Sequence, residues 1–372
     1  MHNYNMAAVW WVLQMANEEE KNLLRIQRRQ LRDAVNPFEI PESQFLSLYR
    51  FSKDAVLALC INIQPYVQEA VRPTAIPLEL KVLATLNFLS SGSYQRRVGQ
   101  DFLSCMCQAS ISGAIHEIIN AINVIIPQWI KFPVQANEIE IIQQQFWINT
   151  NFPGVIGAVD GTHIAIWPPV KRREHLYINR KLYHSLNVMI VSDYNGRILA
   201  VVANHGGRTH DARVWSSSRL SRHMLNQYEN GRRNLWLLGD SGYPLLPYLM
   251  TPKLNQPPRS PGALYTDAHA TARCCVERTI GVLKGRWRCL RKERGLHYSS
   301  EFAALIVNAA CVLHNIAKHY NIADGEIYRE EIEEDDIEVE DNIYGNMRAI
   351  GVFWQWVRFL RPLEKITKLP MS

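Results

Sequence analysis

The sequence predicts an α/β protein, a mixed sheet flanked by helices, with an all-helical domain ahead of it. Three observations carry that expectation. Up to about residue 150, apolar residues recur three and four apart, which is the helical period. From residue 154 the pattern switches to short β-branched apolar runs bounded by turn residues. After the Pro/Gly-rich stretch 252–262, long helical patterns return over 268–290 and 300–320. Strands, a helix, a further strand and then helices is the order of a sheet covered by helices. The expected domains are a helical one over 1–150, the α/β domain over 151–322, and an acidic segment with a C-terminal tail over 323–372.

Taken in order, MAAVWWVLQMA (6–16) has no basic region before it and EEEK soon after, so it reads as a helical core segment and not as a targeting signal. Segments 43–67 and 77–92 are helical, punctuated by Pro37, Pro41, Pro73 and Pro77. Residues 94–125 read as helix, short turn, helix, with Arg96 and Arg97 near the first and Ser110 and Ser112 near the start of the second. That spacing fits a DNA-binding helix-turn-helix. The stretch AIHEIINAI in the second helix carries no arginine or lysine, so an ordinary helical hairpin is the stronger reading. GVIGAVD, THIAIWP, LNVMIVSD and RILAVVAN then read as strands, with DYNG (193–196) turning the last two into a hairpin. DARVWSSSRLSRHML (211–225) reads as a helix and LWLLGDSGYP (235–244) as another buried strand. In the tail, VFWQWVRFL suggests a short amphipathic helix.

Composition narrows the class of protein. Of the 372 residues, 47% are hydrophobic and 20% charged, as in an ordinary soluble globular chain. The longest late apolar run, AALIVNAACVL (303–313), is too short to span a bilayer. Seven scattered cysteines, an odd number, argue for reduced thiols inside a cell. Cys105-x-Cys107 has no second pair at zinc-ligand spacing. The net charge is +6, but DGEIYREEIEEDDIEVED (324–341) holds eleven acids and one arginine, so the rest of the chain is far more basic than the total suggests. A body that basic suits a polyanionic partner. The acidic run reads as a solvated segment.

Two apolar runs close on the same pattern, AVDGT (158–162) and LLGDSGY (237–243), each delivering an aspartate beside a small residue. If the two strands are parallel neighbours, Asp160 and Asp240 lie at one edge of the sheet. They would then repel unless a cation such as Mg²⁺ or Mn²⁺ sits between them. In the helix 270–290, Glu277 follows the apolar Val276 and can point at that edge while Arg278, Lys284, Arg286 and Arg288 line the flank. A surface ion pair is the competing reading. His163 fits a buried hydrogen-bonded histidine better than a DNA contact. His205 and His210 beside Asp211 lack a further soft ligand for zinc. Lys171, Arg172, Arg173, Arg180 and Lys181 form a basic loop suited to backbone phosphate, or KRR to nuclear import.

In this order, GVIGAVDGTHIAIWPP, YINRKLYHSLNVMIVSDYNGRI, HGGRTHDARVW, WLLGDSGYPLLPYLMTP and CCVERTIGVLKGRWRCL cover most of 154–290. Together they resemble the DDE transposases, and most closely the Harbinger transposase-derived nucleases. The resemblance implies an RNase H-like sheet and a catalytic triad of Asp160, Asp240 and Glu277. It also implies a metal site, for Mg²⁺ or Mn²⁺, of those three with Asp211, an aspartate that a helix N-cap would explain equally well. The implied chemistry is two-metal activation of water against a DNA phosphodiester. A separate Myb/SANT-like DNA-binding protein is implied as partner, and nucleus and cytoplasm as location, while oligomeric state stays open. The alternative is a catalytically silent DNA- or protein-binding module that retains the scaffold.

Overall fold

The computed structural model describes residues 3–329 except 70, 71, 73, 93, 100–102 and 326. Most of the acidic run and the expected tail helix lie outside the described residues. The chain divides into two compact units, Met1–Val124 and Ile125–Ser372.

The described elements of the first unit are helices: α1 (Asn3–Asp33), α2 (Glu42–Tyr49), α3 (Lys53–Ile63), α4 (Leu78–Ser91), α5 (Gln95–Gly99) and α6 (Gln108–Val124), with short 3₁₀ turns between some of them. Ser52 starts α3 by accepting from Ala55 N–H, and Gly92, at φ +63°, ends α4 in the left-handed conformation that a residue without a Cβ adopts freely. α4 buries nearly its whole circumference and α6 its isoleucine stripe, Ile111, Ile115, Ile118, Ile119 and Ile122. Lys81 and Glu117 join the two helices at 2.8 Å. The α6 positions left to solvent are Gln108, Ala109, Gly113, His116, Asn120 and Val124, with no cation among them, and α5 is only five residues long. The expected core segment near the N-terminus is helical, and those of its side chains that are described are exposed. Trp10 and Leu13 of α1 are each 64% exposed.

The second unit continues with α7 (Ile126–Trp129) and α8 (Ala136–Thr150), then β1 (Val155–Ala165), β2 (Ser185–Ser192) and β3 (Ile198–Gly206). α9 (Asp211–Ser217), α10 (Arg219–Glu229), β4 (Trp236–Leu238) and β5 (Leu249–Met250) follow, and α11 (Pro261–Arg286) and α12 (Ser300–His319) close it. The five strands form one mixed sheet in the order β3-β2-β1-β4-β5. β1–β2 and β2–β3 are antiparallel, and β1–β4 and β4–β5 are parallel. All eight residues of β2 are buried, so both faces of the sheet centre are covered. α8 and α11 pack on β1 and α12 on β3. α12 is the one described helix long and apolar enough to cross a membrane, and 78% of that stretch is buried in the protein.

Three expectations change, and one strand is added. GVIGAVD and THIAIWP are not two strands but the single eleven-residue β1, because Gly161 continues the extended pairing with β2. Residues 211–225 split into α9 and α10 at Ser218. Its extended backbone (ψ 152°) breaks the first helix while its hydroxyl caps the second. β5, two residues long, carries no periodic signal. Lys284 and Arg286 do not line a solvated flank. Both are buried, Lys284 donating to His163 O at 3.1 Å and Arg286 to the carbonyls of Ile322 and Ala323.

Candidate active site

Asp160 sits in the middle of β1 and yet faces an opening, because the neighbour on that side stops short. The β1–β4 pairing runs only from Val155↔Trp236 to Ala158↔Leu238. Two residues beyond the last pair stand Asp160 on one chain and Asp240 on the other, so parallel register brings both acids to the same gap. On its far side β1 stays paired with β2 as far as Ala165↔Ser185, which holds Asp160 rigidly. Gly161 N–H donates to Asp160 Oδ1 at 2.9 Å, and Gly242 N–H donates to Asp240 Oδ1 at 3.1 Å in a tight aspartate turn.

Asp211 reaches this gap from α9. It is the first helical residue and not the cap, since His210 occupies the cap position, without a side-chain bond to the helix N–H groups. Its Oδ1 accepts from Asn187 Nδ2 at 2.8 Å, and the same amide donates to Thr209 O at 2.7 Å, so Asn187 of β2 clamps both the acid and the loop before it. The Asp211 carboxylate lies where a side chain on Gly161 would begin, which only glycine permits. A methyl on Gly242 would stand 3.3 Å from Asp240 Oδ1 and 3.7 Å from Asp211 Oδ2, so these two carboxylates face each other across Gly242.

Glu277 comes from α11 and is half exposed. Its link to the strands is Arg273, one turn earlier on the same helix face. Arg273 Nη1 lies 3.3 Å from Asp160 Oδ2, and Nη2 pairs with Glu277 Oε1. The structure therefore gathers all four acids, and it adds three side chains that the sequence pattern does not single out: Arg273, Asn187 and Tyr243. Tyr243 is 4% exposed, stands edge-on to the buried Trp215, and its hydroxyl has no hydrogen-bond partner. An i, i+4 Arg–Glu pair is visible in RCCVE. Nothing in the buried run containing Asn187 marks it out.

Electrostatics follow from burial. Removal from water pushes the Asp160 carboxyl up to about 7; Arg273 opposes that shift, and Asp240, Glu277 and Asp211 add to it. Asp240 is raised by burial and then by Asp211. Burial works against the Arg273 guanidinium, but Asp160, Glu277 and Asp240 together hold it above the ordinary arginine value. Burial and then Asp211, Asp160 and Asp240 keep the Tyr243 hydroxyl protonated. The donor set is oxygen only, the kind that hard divalent cations take. The orphaned Tyr243 hydroxyl beside it suits a water or ion-bound oxygen as acceptor. Among the described residues no three acids, histidines or cysteines converge closely enough, as they stand, to hold an ion.

The remaining candidates go elsewhere. His163 Nδ1 bonds Ser185 Oγ at 3.0 Å, His205 Nε2 bonds Ser217 Oγ at 3.0 Å, and His210 Nδ1 meets Arg180 Nη2 at 3.0 Å, so the two outer histidines form no zinc site with Asp211. Cys107 Sγ bonds Ser110 Oγ. Lys171, Arg172, Arg173, Arg180 and Lys181 are all exposed.

Residues 159–315 match the model of the DDE superfamily endonuclease family. Over 290 residues the chain is 35% identical to the human protein named "Putative nuclease HARBI1", covering 76% of this chain and 80% of that one. The Xenopus laevis protein of the same name is 35% identical over 254 residues, 68% of this chain and 71% of its own. An Arabidopsis thaliana protein, "Protein ALP1-like", is 27% identical over 255 residues, 64% and 61% of the two chains. No solved structure matches. DDE endonucleases generally use divalent metals. With four acids gathered where β1 and β4 part, and with relatives this similar over most of their length, the chain belongs to the Harbinger transposase-derived nucleases of the DDE superfamily.

Proposed function

We propose that this chain is a hydrolase that cleaves DNA phosphodiester bonds with divalent metal, on an RNase H-like sheet. The observation that carries the reading is the convergence of Asp160, Asp240, Asp211 and Glu277 on one gap in the sheet, with a single guanidinium among them. Asp160, Asp240, Asp211 and Glu277 would hold Mg²⁺ or Mn²⁺. When bound, a pair of such ions lowers the pKa of a water for in-line attack and stabilises the leaving 3′ oxygen.

The chain's own residues supply position and charge. β1 and β4 fix Asp160 and Asp240 by backbone pairing and by the two N–H donors, so neither side chain needs ordering at the moment of reaction. Asn187 fixes Asp211. The Tyr243 hydroxyl, protonated and unpaired, donates toward oxygen in the gap. Lys171, Arg172, Arg173 and Arg180 bind backbone phosphate. Arg180 reaches the gap through His210, the residue before Asp211. All of these residues lie in the second unit, Ile125–Ser372. Sequence selection and delivery to the nucleus fall to a Myb/SANT-like partner, with the chain shared between nucleus and cytoplasm.

A second reading has one observation in its favour: the acids do not close to ligating distance as they stand. On that reading Arg273 is a permanent salt bridge and the chain a silent DNA-binding module. Plasmid nicking with and without Mn²⁺ separates the two. Asp160→Asn and Glu277→Gln should abolish metal-dependent nicking while circular dichroism stays that of the parent. Wild-type nicking by folded Asp160→Asn would sink the site assignment.

A further inference from the structure

We propose that Arg273 is a resident counter-ion of the acid cluster, and that divalent metal enters only as its guanidinium leaves. This rests on the metal-dependent reading above and specifies what that site does before metal arrives.

Before metal arrives, these carboxylates already have partners. Asp160 Oδ1 is engaged by Gly161 N–H, and Oδ2 faces Arg273 Nη1 at 3.3 Å. Glu277 Oε1 is engaged by Nη2 of the same guanidinium. An ion held by Asp160 and Glu277 together would compete with the guanidinium for the space between them. A planar cation forked between them fills the space the ion would take, so the two occupants exclude one another. That accounts for acids that are gathered yet not converged. Arg273 holds the α11 acid away from the strand acids by standing between them.

The charge balance makes the arrangement exchangeable. One guanidinium stands against four carboxylates, so Arg273 leaves the cluster under-neutralised and two divalent ions would neutralise it. Arg273 is largely buried, at 19% side-chain exposure, and a guanidinium so placed needs partners. Without metal the acids supply them. Because Arg273 and Glu277 lie one turn apart on α11, a rotation about the Arg273 side chain frees Glu277 without moving the helix.

Isothermal titration of the full chain with Mn²⁺ alone tests this. Competition by a tethered cation scales the apparent affinity by the fraction of time the site stands free, so if Arg273 leaves it free about a tenth of the time, Arg273→Gln should bind Mn²⁺ about tenfold more tightly than the parent. The same variant should melt below the parent without metal and regain the difference when saturated. Arg273→Lys, which keeps the charge but loses the fork, should gain about threefold by the same relation, and it serves should the glutamine variant fail to fold. Unchanged or weaker Mn²⁺ binding by folded variants, with binding by the parent intact, would overturn the exchange and leave the nuclease reading standing. No Mn²⁺ binding by parent or variants would overturn both.

Discussion

A carboxyl pushed up to about 7 in the folded chain, against an ordinary 3.8, makes Asp160 a source of pH-dependent instability. Burial is the main cause, and three neighbouring acids cancel part of the help from Arg273. Between those two values the unfolded chain has released a proton that the folded chain still holds. The contribution of Asp160 to the stability of the metal-free protein therefore falls as pH rises from about 4 to about 7 and levels off above that, while His269 and His314, which burial holds down to about 4, contribute with the opposite sign up to the ordinary histidine value of 6.5. Asp240, raised in the same direction, adds to the slope. Asparagine keeps the acceptor for Gly161 N–H and loses the charge, so metal-free Asp160→Asn should be the more stable protein at pH 8 and indistinguishable from the parent at pH 4. Each tenfold difference in proton affinity between the folded and unfolded chain is worth about 1.4 kcal/mol, hence a rise in melting temperature at pH 8 of at least roughly 2–4 °C for a domain of this size. Melting curves from pH 4 to 8 in chelator check it. A drop at pH 8 would show that the Arg273 pair outweighs the burial. Asp160 and Asp240 are visible in the sequence because an acid closing an apolar run is conspicuous. Arg273 is not, because on a helix rich in arginine its partner is set by α11's rotation against β1, which a one-dimensional pattern does not contain.

At the level of elements, the sheet depends on groups that imitate its ladder. β3 is one edge strand, and its first residue is held by a side chain. Ile198 N–H donates to Asn315 Oδ1 at 2.9 Å, and Asn315 Nδ2 donates to Ile198 O at 2.7 Å and to Trp129 O at 2.9 Å. One buried amide of α12 thus pairs like a strand residue and ties α7 to the same point. Asn315→Ala would leave three backbone groups without partners and should cost about 3 kcal/mol, read from urea unfolding. A loss below about 1 kcal/mol would mean that water replaces the amide. This device is illegible in sequence, where Asn315 sits in a helical apolar run. The strands themselves are legible, since β-branched runs and DYNG announce them. The joining of two runs into β1 is not, because a glycine marking a turn and a glycine permitting close approach look alike until Asp211 is seen packed against Gly161. The break between α9 and α10 is hidden for a similar reason. Ser218 is both the stop of one helix and the cap of the next.

Across the whole molecule, the charge of +6 conceals a body more basic than it looks, with the acids of 324–341 offsetting it. Where that run begins, Asp324 is fastened at the surface by Lys318 at 2.7 Å and by Arg286 at 3.3 Å, so its first acid is already paired within the protein. In the exposed basic loop after β1, Lys171, Arg172 and Arg173 follow one another in the sequence, and Arg180 bonds the residue next to Asp211. If that loop carries DNA, its contribution is counter-ion release, which shows as a salt slope and not as sequence preference. Replacing Lys171, Arg172 and Arg173 by alanine should weaken duplex binding at about 100 mM salt. It should also flatten the slope of log affinity against log salt by about 2–3, near 0.9 for each phosphate no longer neutralised. Fluorescence anisotropy between about 50 and 200 mM salt, in chelator so that no strand is cut, reads both quantities. Asp160→Asn measured alongside should keep the parent slope, because its charge faces the gap. A triple variant with the parent slope would place the DNA on another face, and the loop would then be a solvated surface feature.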